Sequence, residues 1–599
     1  MKTVRTSIPR KINSWRGAAI LYGDLGTSKA YVLGLAFALA SYSSFWYILA
    51  VSVLTLLIGL NYIKICKFYP NGGGVYASVR NRSKVLAVLG GFFLISDYLV
   101  TAALSATSAF HYLGVLNPEI WAISSIAVIG FMNFLGIKRT GNLAIQLAIP
   151  MVISVIFLGL LSTPFIPKAV HHLTPISGDF RADWAVFVGI IVALSGIESI
   201  ANTTGSMKLD PGSTLENPSI VRTATPAIVM VIAEVCIFTS LLGLAMNALP
   251  GLEISNGDVN APGYPNVRDA MLNYMGDVFG SSAFGATFGH YFALVISIVV
   301  ALLLLSAVNT AMIALNSLLF IMSSDGEMPD QLRKLNRFGV PIYSTFLAFL
   351  LPIGILIFVN DISGLAALYA VGFVGAIAVN LGATSTNLTL PFKKWERILM
   401  FGTFIIMTLI ELTLFIDKSQ ARLFVITIVG VGLLVRALIK ERKENLEISN
   451  AALLKSDLPE LPKGDEGGVL VAITGTGKTL EYAIDEAKSH QLPLFILFVR
   501  EQQFVSEIDQ KKTSAQDKDA LEVFEYMNSY SLKIPMELLY TVTAHSAHSV
   551  VEIAKKKKVN KVVIGKKRGK SGFLRFLRGT IINDLSKMMP KNMDLIVVY

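Results

Sequence analysis

The sequence predicts a multi-pass α-helical membrane protein followed by a small cytoplasmic α/β domain with a parallel sheet. Three observations carry this. The chain has 599 residues, 53% hydrophobic and only 16% charged, where ordinary soluble proteins carry about 25% charged residues. Long apolar runs recur from about residue 14 to residue 440, each long enough to cross a hydrocarbon core of about 30 Å as a helix. Beyond residue 440 the texture turns charged and mixed, and strand-like and helix-like stretches alternate, as in parallel α/β sheets.

Taken in order, twelve spans are expected in a membrane domain over residues 1–440. They cover roughly 14–37, 43–63, 85–110, 119–137, 142–163, 183–204, 223–247, 288–322, 341–359, 361–386, 397–416 and 421–439. Lys and Arg set the orientation. The segments on one side carry about twenty of them, among them Arg5, Arg10, Lys11, Arg16, Lys64, Lys67, Arg80, Arg82 and Lys84, against about five on the other. Both termini are therefore expected in the cytoplasm, with the protein in the cell membrane. The first span is too long for a signal peptide and lacks a cleavage-like end. The net charge of +11 follows from the same bias and needs no nucleic acid partner. Cys66 and Cys236 both fall inside spans, so no disulfide framework is implied.

Residues 441–464 are polar, contain two prolines and read as a linker. Over 465–599, "GVLVAIT", "PLFILFV", "MELLYTVT", "KVVIG" and "DLIVV" read as strands, with helices near 479–489, 514–530, 547–558 and 578–588. The stretch "VLVAITGTGKTLEYAIDEA" has the look of a phosphate loop, G-x-x-x-x-G-K-[ST]. Gly477, Lys478 and Thr479 fit its end, but Ala472 stands where the first glycine belongs. It is read as a strand-to-helix turn, Lys478 as non-catalytic and the chain as no enzyme. Ala472 also argues against an ATP-driven pump.

Carboxylates inside spans cost about 2.5–3.5 kcal/mol each on insertion scales and mark function by default. Asp24 lies in "YGDLGTSKAY", Asp97 in "ISDYLVTAALSA" and Glu198 in "ALSGIESIANTTG". Asp97, Thr101 and Ser105 follow at i, i+4 and i+8, one stripe of a helix. Ser195 and Glu198 share a face in the same way. Gly23 and Gly26 flank Asp24, and Gly196 precedes Glu198, so spans one and six are expected to be broken. Unwound backbone at membrane depth is tolerated where it lines a site. Spans one and six are five apart, as in inverted five-helix repeats. Glu234 and Glu411 lack such company and are read as packing residues. Lys29, two residues before Tyr31, finds no explanation in the sequence.

Carboxylate, hydroxyl and carbonyl oxygens suit hard cations. Several carboxylates together favour a monovalent cation, a proton, or both. A buried carboxylate beside another can also load and release a proton near neutral pH. This is the chemistry of a cation–proton symporter.

At these residues the chain resembles the potassium uptake permeases, a branch of the amino acid–polyamine–organocation superfamily. "YGDLGTSKAY" is similar to their first-helix pattern Y-G-D-[IL]-G-T-S-P-L-Y, and its Lys29 and Ala30 suit the KimA-like subgroup. "SSDGEMP" (323–329) resembles the segment that follows the eighth helix across the superfamily. The resemblance implies a LeuT-like fold and a potassium site made by Asp24, Tyr31, Asp97, Thr101, Ser105, Ser195, Glu198 and Tyr369, with Ser195 in place of the family's threonine. It implies potassium import coupled to protons. A proton-coupled amino acid symporter is the alternative, against which Asp24 would repel the substrate carboxylate.

The end of the chain, "VVIGKKRGKSGFLRFLRGTIINDLSKMMPKNMDLIVV", resembles universal stress protein domains. Their nucleotide motif is G-x2-G-x9-G-[ST]. Gly569, Gly579 and Thr580 fit it; Gly565 stands one residue too far upstream. The resemblance implies an adenine nucleotide held near Thr474, Gly565, Gly569, Gly579 and Thr580, with cyclic di-AMP as the inhibitory ligand that KimA-like importers point to. It also implies a homodimer through the paired tails.

Overall fold

The computed structural model describes residues 2–3, 10–447, 467–505, 517–528, 534–565, 581–590 and 593–598, with short interruptions at 73, 81, 137–139, 215–216, 256, 263, 265, 337 and 360. Buried side chains form one large core running from Ala18 to Val425 and two smaller ones between Val469 and Val598.

The helices of the first part are α1 (Ser14–Leu25), α2 (Lys29–Ala40), α3 (Ser44–Phe68), α4 (Val75–Val79), α5 (Lys84–Tyr112), α6 (Pro118–Phe134), α7 (Thr140–Ser162), α8 (Ile166–His171), α9 (Phe180–Gly189), α10 (Ser199–Thr203), α11 (Val221–Ala245), α12 (Met271–Phe284), α13 (Ala286–Ser324), α14 (Ile342–Phe358), α15 (Ile362–Ser385), α16 (Lys394–Asp417) and α17 (Ser419–Glu447). Among the described residues, eight stretches are long and apolar enough to cross a membrane, or nine if the bent pair at 180–206 counts as one span. The protein is therefore an integral membrane protein. One of the eight is Ser14–Phe68, 55 residues long, and α6 and α14 are shorter apolar helices. α17 continues to Glu447, into the segment expected as a linker; most of that segment lies outside the described residues.

Both expected breaks are present. The first span stops at Leu25 and resumes at Lys29. The sixth bends by 47° between Phe180–Gly189 and Ile191–Ser206. At its centre Ser195 is extended, and Gly196 has φ +92°, a conformation open to glycine at little cost.

The last part is a six-stranded sheet in the order β1-β6-β5-β4-β7-β8. Its strands are β1 (Lys2–Thr3), β4 (Val469–Ile473), β5 (Leu494–Glu501), β6 (Met536–Thr543), β7 (Lys561–Gly565) and β8 (Asp594–Val598); β2 (Glu253–Ser255) and β3 (Asp258–Asn260) form a separate hairpin. The sheet is parallel throughout. Val469, Val471 and Ile473 enter one small core and Leu470 the other, which explains the unbroken apolar run of a strand covered on both faces. Helices α18 (Lys478–Ser489), α19 (Lys518–Asn528), α20 (Ser546–Lys556) and α21 (Ile581–Met588) supply the cover. The five strands read from the sequence are all present. The sixth, β1, comes from the other end of the chain and pairs Lys2 with Leu539 and Thr3 with Tyr540.

Candidate ion site

The site is built where two broken helices meet two whole ones. The end of α1 frees backbone carbonyls. Thr27 Oγ1 donates to Asp24 O at 2.7 Å, which leaves that carbonyl one lone pair to offer, while Leu25 O accepts from Ser28 Oγ at 2.7 Å and from Ser28 N at 3.4 Å. Gly196 brings the sixth span against this break. A Cβ at Gly196 would lie 2.7 Å from the Asp24 Cβ and 2.7 Å from the Leu25 nitrogen. Gly372 on α15 does the same opposite α5, where a Cβ would come within 2.6 Å of the Asp97 nitrogen. The sequence reading missed Gly372, because one glycine in an apolar helix gives no sign of what it touches.

Asp24, Asp97, Thr101, Glu198 and Tyr369 line one cavity of about 70 Å³. Thr101 Oγ1 donates to Asp97 O at 2.8 Å and approaches Asp97 Oδ1 at 3.4 Å. The Asp97 and Glu198 carboxyls are neighbours, and Asp24 stands close to both. Asp97 Oδ2 and Glu198 Oε2 are buried with no donor directed at them. Two such acceptors side by side call for a proton or a cation. Tyr31 Oη lies 3.2 Å from Ser195 Oγ, and Tyr369 lies beside that pair. Ser105 is buried on α5 but is not among the residues lining the cavity. Among the described residues no three His, Cys, Asp or Glu side chains converge closely enough to enclose one metal ion. A potassium ion here would need hydroxyl and backbone oxygens as well.

The other intramembrane charges separate clearly. Lys29 is wholly buried and paired with Glu234 on α11 at 2.7 Å, and the Tyr22 hydroxyl donates to the same carboxylate at 3.0 Å. This accounts for Lys29, which the sequence alone left unexplained. Glu411 on α16 has both oxygens buried without a hydrogen-bond partner and does not reach the cavity. In "SSDGEMP", Asp325 accepts from Tyr76 at 2.9 Å and from Arg80 at 3.0 Å, while Glu327 pairs with Arg436 on α17. That motif ties the ends of helices together.

Among the described residues, the cavity adjoins a larger opening on one side of the break. A vestibule of about 560 Å³, lined among others by Ile12, Ala19, Ile20, Asn71, Asn202, Ser306 and Thr310, adjoins the small cavity. The two share Ile20, Tyr98, Asn202, Thr203, Thr310 and Ala314. At this neck Asn202 Nδ2 donates to Tyr98 Oη at 2.6 Å. On the other side of the break, α2 is packed shut. A Cβ at Gly34 would lie 1.9 Å from the Arg268 carbonyl oxygen, and Tyr112 donates to Ala30 O at 2.6 Å.

In the last part, Thr474 lies in an exposed turn at the end of β4, and Gly565 ends β7. The chain order reverses between these neighbouring strands, and open parallel sheets bind ligands at such a switch point, beyond the carboxyl ends. A Cβ at Gly565 would lie 2.5 Å from Thr479 Oγ1. Gly569, Gly579 and Thr580 lie outside the described residues.

Comparison with known proteins matches residues 12–434 to the family model described as amino acid permease and residues 468–596 to the universal stress protein family. The chain is similar to the potassium transporter KimA of Bacillus subtilis (strain 168), 26% identical over 82% of this chain and 81% of that protein. It is also similar to the low affinity potassium transport system protein Kup of Salmonella arizonae, 22% identical over 30% of this chain and 34% of the relative. Kup of Salmonella paratyphi B matches at 21% over the same shares.

Proposed function

We propose that this chain, which belongs to the amino acid permease family and carries a universal stress protein domain behind its membrane part, is a secondary transporter that imports potassium together with protons. The observation that carries the reading is the pair of facing carboxyls, Asp97 and Glu198, each with an oxygen that no donor reaches. The names of the relatives, a potassium transporter and a potassium transport system protein, support the choice of ion. Asp24, Asp97, Thr101, Ser195, Glu198, Tyr31 and Tyr369 are the proposed potassium site, with Ser105 two turns further along α5. One of the three acids carries the coupled proton.

The family's description favours a second reading, an amino acid–proton symporter. Size and charge weigh against it. One water needs about 10–15 Å³ of such space, so the cavity of about 70 Å³ suits an ion with a few waters better than a zwitterion. Three nearby carboxylates also repel a substrate carboxylate.

We read the membrane part as twelve spans with an inverted repeat. Counting Ser14–Phe68 as two crossings and adding α6 and α14 brings the nine spans to twelve. Both ends then lie in the cytoplasm of a cell-membrane protein, and the vestibule faces inward. The tail is a regulatory domain that binds cyclic di-AMP, or another adenine nucleotide, beside Thr474 and Gly565, pairs with a second copy and inhibits uptake. Potassium-limited growth of an uptake-deficient host, with rubidium uptake into proteoliposomes, tests the central claim. Growth without rubidium uptake, or uptake of amino acids instead, would overturn it.

A further inference from the structure

We propose that the carboxyl edge of the tail's sheet is a docking surface for the vestibule mouth, with Phe504 as the side chain that seats there and narrows it. This deepens, and rests on, the reading of the tail as a brake on transport. The attachment can be followed residue by residue. β5 ends at Glu501, and Gln502 N donates to Thr543 O at 2.9 Å, which fastens the turn to β6. The next residue reaches the membrane part, where Gln503 N donates to Gly339 O at 2.6 Å. Gly339 permits the approach. Its φ is +74°, and a Cβ there would lie 2.7 Å from the Glu501 carbonyl oxygen.

The receiving loop is held in shape. Asn336 Oδ1 accepts from Phe338 N at 2.8 Å and from Val340 N at 3.1 Å, and its Nδ2 donates to Phe134 O on α6 at 2.9 Å. From this anchor the Phe504 ring lies 6.1 Å from Phe320 on α13. It lines the vestibule together with Ile12, Ala19 and Ile20. An aromatic ring in the wall of a water-accessible passage removes apolar surface from water and takes up width that an ion must use.

The position of this turn in the sheet gives the seat a control. β4 and β5 are parallel neighbours, so the Thr474 turn and the Phe504 turn leave the same edge side by side. A ligand at Thr474 binds next to the segment that carries Phe504. It changes the balance of seated and unseated arrangements by binding one of them better.

The test uses the full chain in proteoliposomes. Ser317, on the vestibule wall, is changed to cysteine and labelled with an impermeant maleimide from the tail side, above the background of Cys66 and Cys236. Phe504→Ala should label several-fold faster than the chain with Phe504, and Phe504→Leu should stay slow. Equal labelling in all three overturns the proposal. A Phe320→Cys/Phe504→Cys pair guards against misfolding. A short bis-methanethiosulfonate linker should join the two and lower rubidium uptake, and reduction should restore it. No link, or a link without effect on uptake, also overturns the proposal. A chain with no rubidium uptake at all sinks the potassium reading, while the labelling contrast still decides the docking.

Discussion

Lys29 Nζ sits 2.7 Å from Glu234 Oε1 and 2.8 Å from Oε2, fully inside the membrane part. Lys29 is also the first residue of α2, where the helix dipole is unfavourable to a cation. The carboxylate on α11 is what makes that position tolerable, and the pair staples the second half of the broken span to its neighbour. Removing one partner of a buried pair costs about 3–5 kcal/mol, whereas removing both with apolar or neutral groups can be close to neutral. Lys29→Met should therefore lower the melting temperature in detergent markedly, and Lys29→Met/Glu234→Gln should recover most of the loss. A double variant no better than the single ones would mean that the pair does more than hold the helices together.

Asp24→Asn and Glu198→Gln are each expected to abolish potassium uptake while the protein still inserts. Losing a charge eases insertion and removes a proposed ligand, so expression and transport should separate. Asp97→Asn should behave alike. Thr101→Ala should be milder, since in the proposed site the hydroxyl is one neutral ligand. Rubidium uptake at the normal rate in both Asp24→Asn and Glu198→Gln would place the site elsewhere.

Uptake should move protons. With three acids around one small cavity, the proposed cycle carries a proton inward with each loaded cation. Potassium entry into proteoliposomes should therefore acidify a lumen containing a pH dye. Potassium entry without acidification would leave a uniporter or a channel.

Gly196→Ala should lose transport although the substitution adds one methyl group. At φ +92° a Cβ carries about 1–2 kcal/mol of backbone cost, and it would press on Asp24 at 2.7 Å. Binding of potassium, followed by thermal stabilisation, should weaken far more than the unliganded melting temperature falls. An equal fall in both would reduce Gly196 to a folding residue.

Thr474→Asp in the full chain should shift cyclic di-AMP inhibition of rubidium uptake to roughly tenfold higher concentration, about 1.4 kcal/mol, because an exposed carboxylate there repels phosphate. Basal uptake should not change. Indifference of the unaltered chain to cyclic di-AMP would end the regulatory reading and leave the transport reading intact.

Much of this was legible in the sequence because it is local. Asp97 and Thr101 are four apart, so the helix brings them together without help from the rest of the chain. The glycines around Asp24 and Glu198 announced the breaks, and the apolar runs announced the strands. What stayed hidden depends on distant partners. Nothing near Lys29 points to Glu234 on another helix, and nothing near Gly372 points to Asp97. Ser105 shares the stripe of Asp97, but eight residues carry it about 12 Å along the helix, beyond a cavity this small. Gln503 and Phe504 fall between an expected strand and an expected helix and carry no motif, because their role depends on what the tail meets.

The strand Lys2–Thr3 lies beside Leu539 and Tyr540, and this sets an order of events during synthesis. Lys2 and Thr3 leave the ribosome long before Met536–Thr543 do, so every span is made before this pairing can form. Loop closure over such a distance is slow compared with local folding. A chain released early, without Met536–Thr543, has no partner strand for Lys2–Thr3. The parallel pairing of β1 with β6 thus ties the start of the membrane part to a strand made after every span.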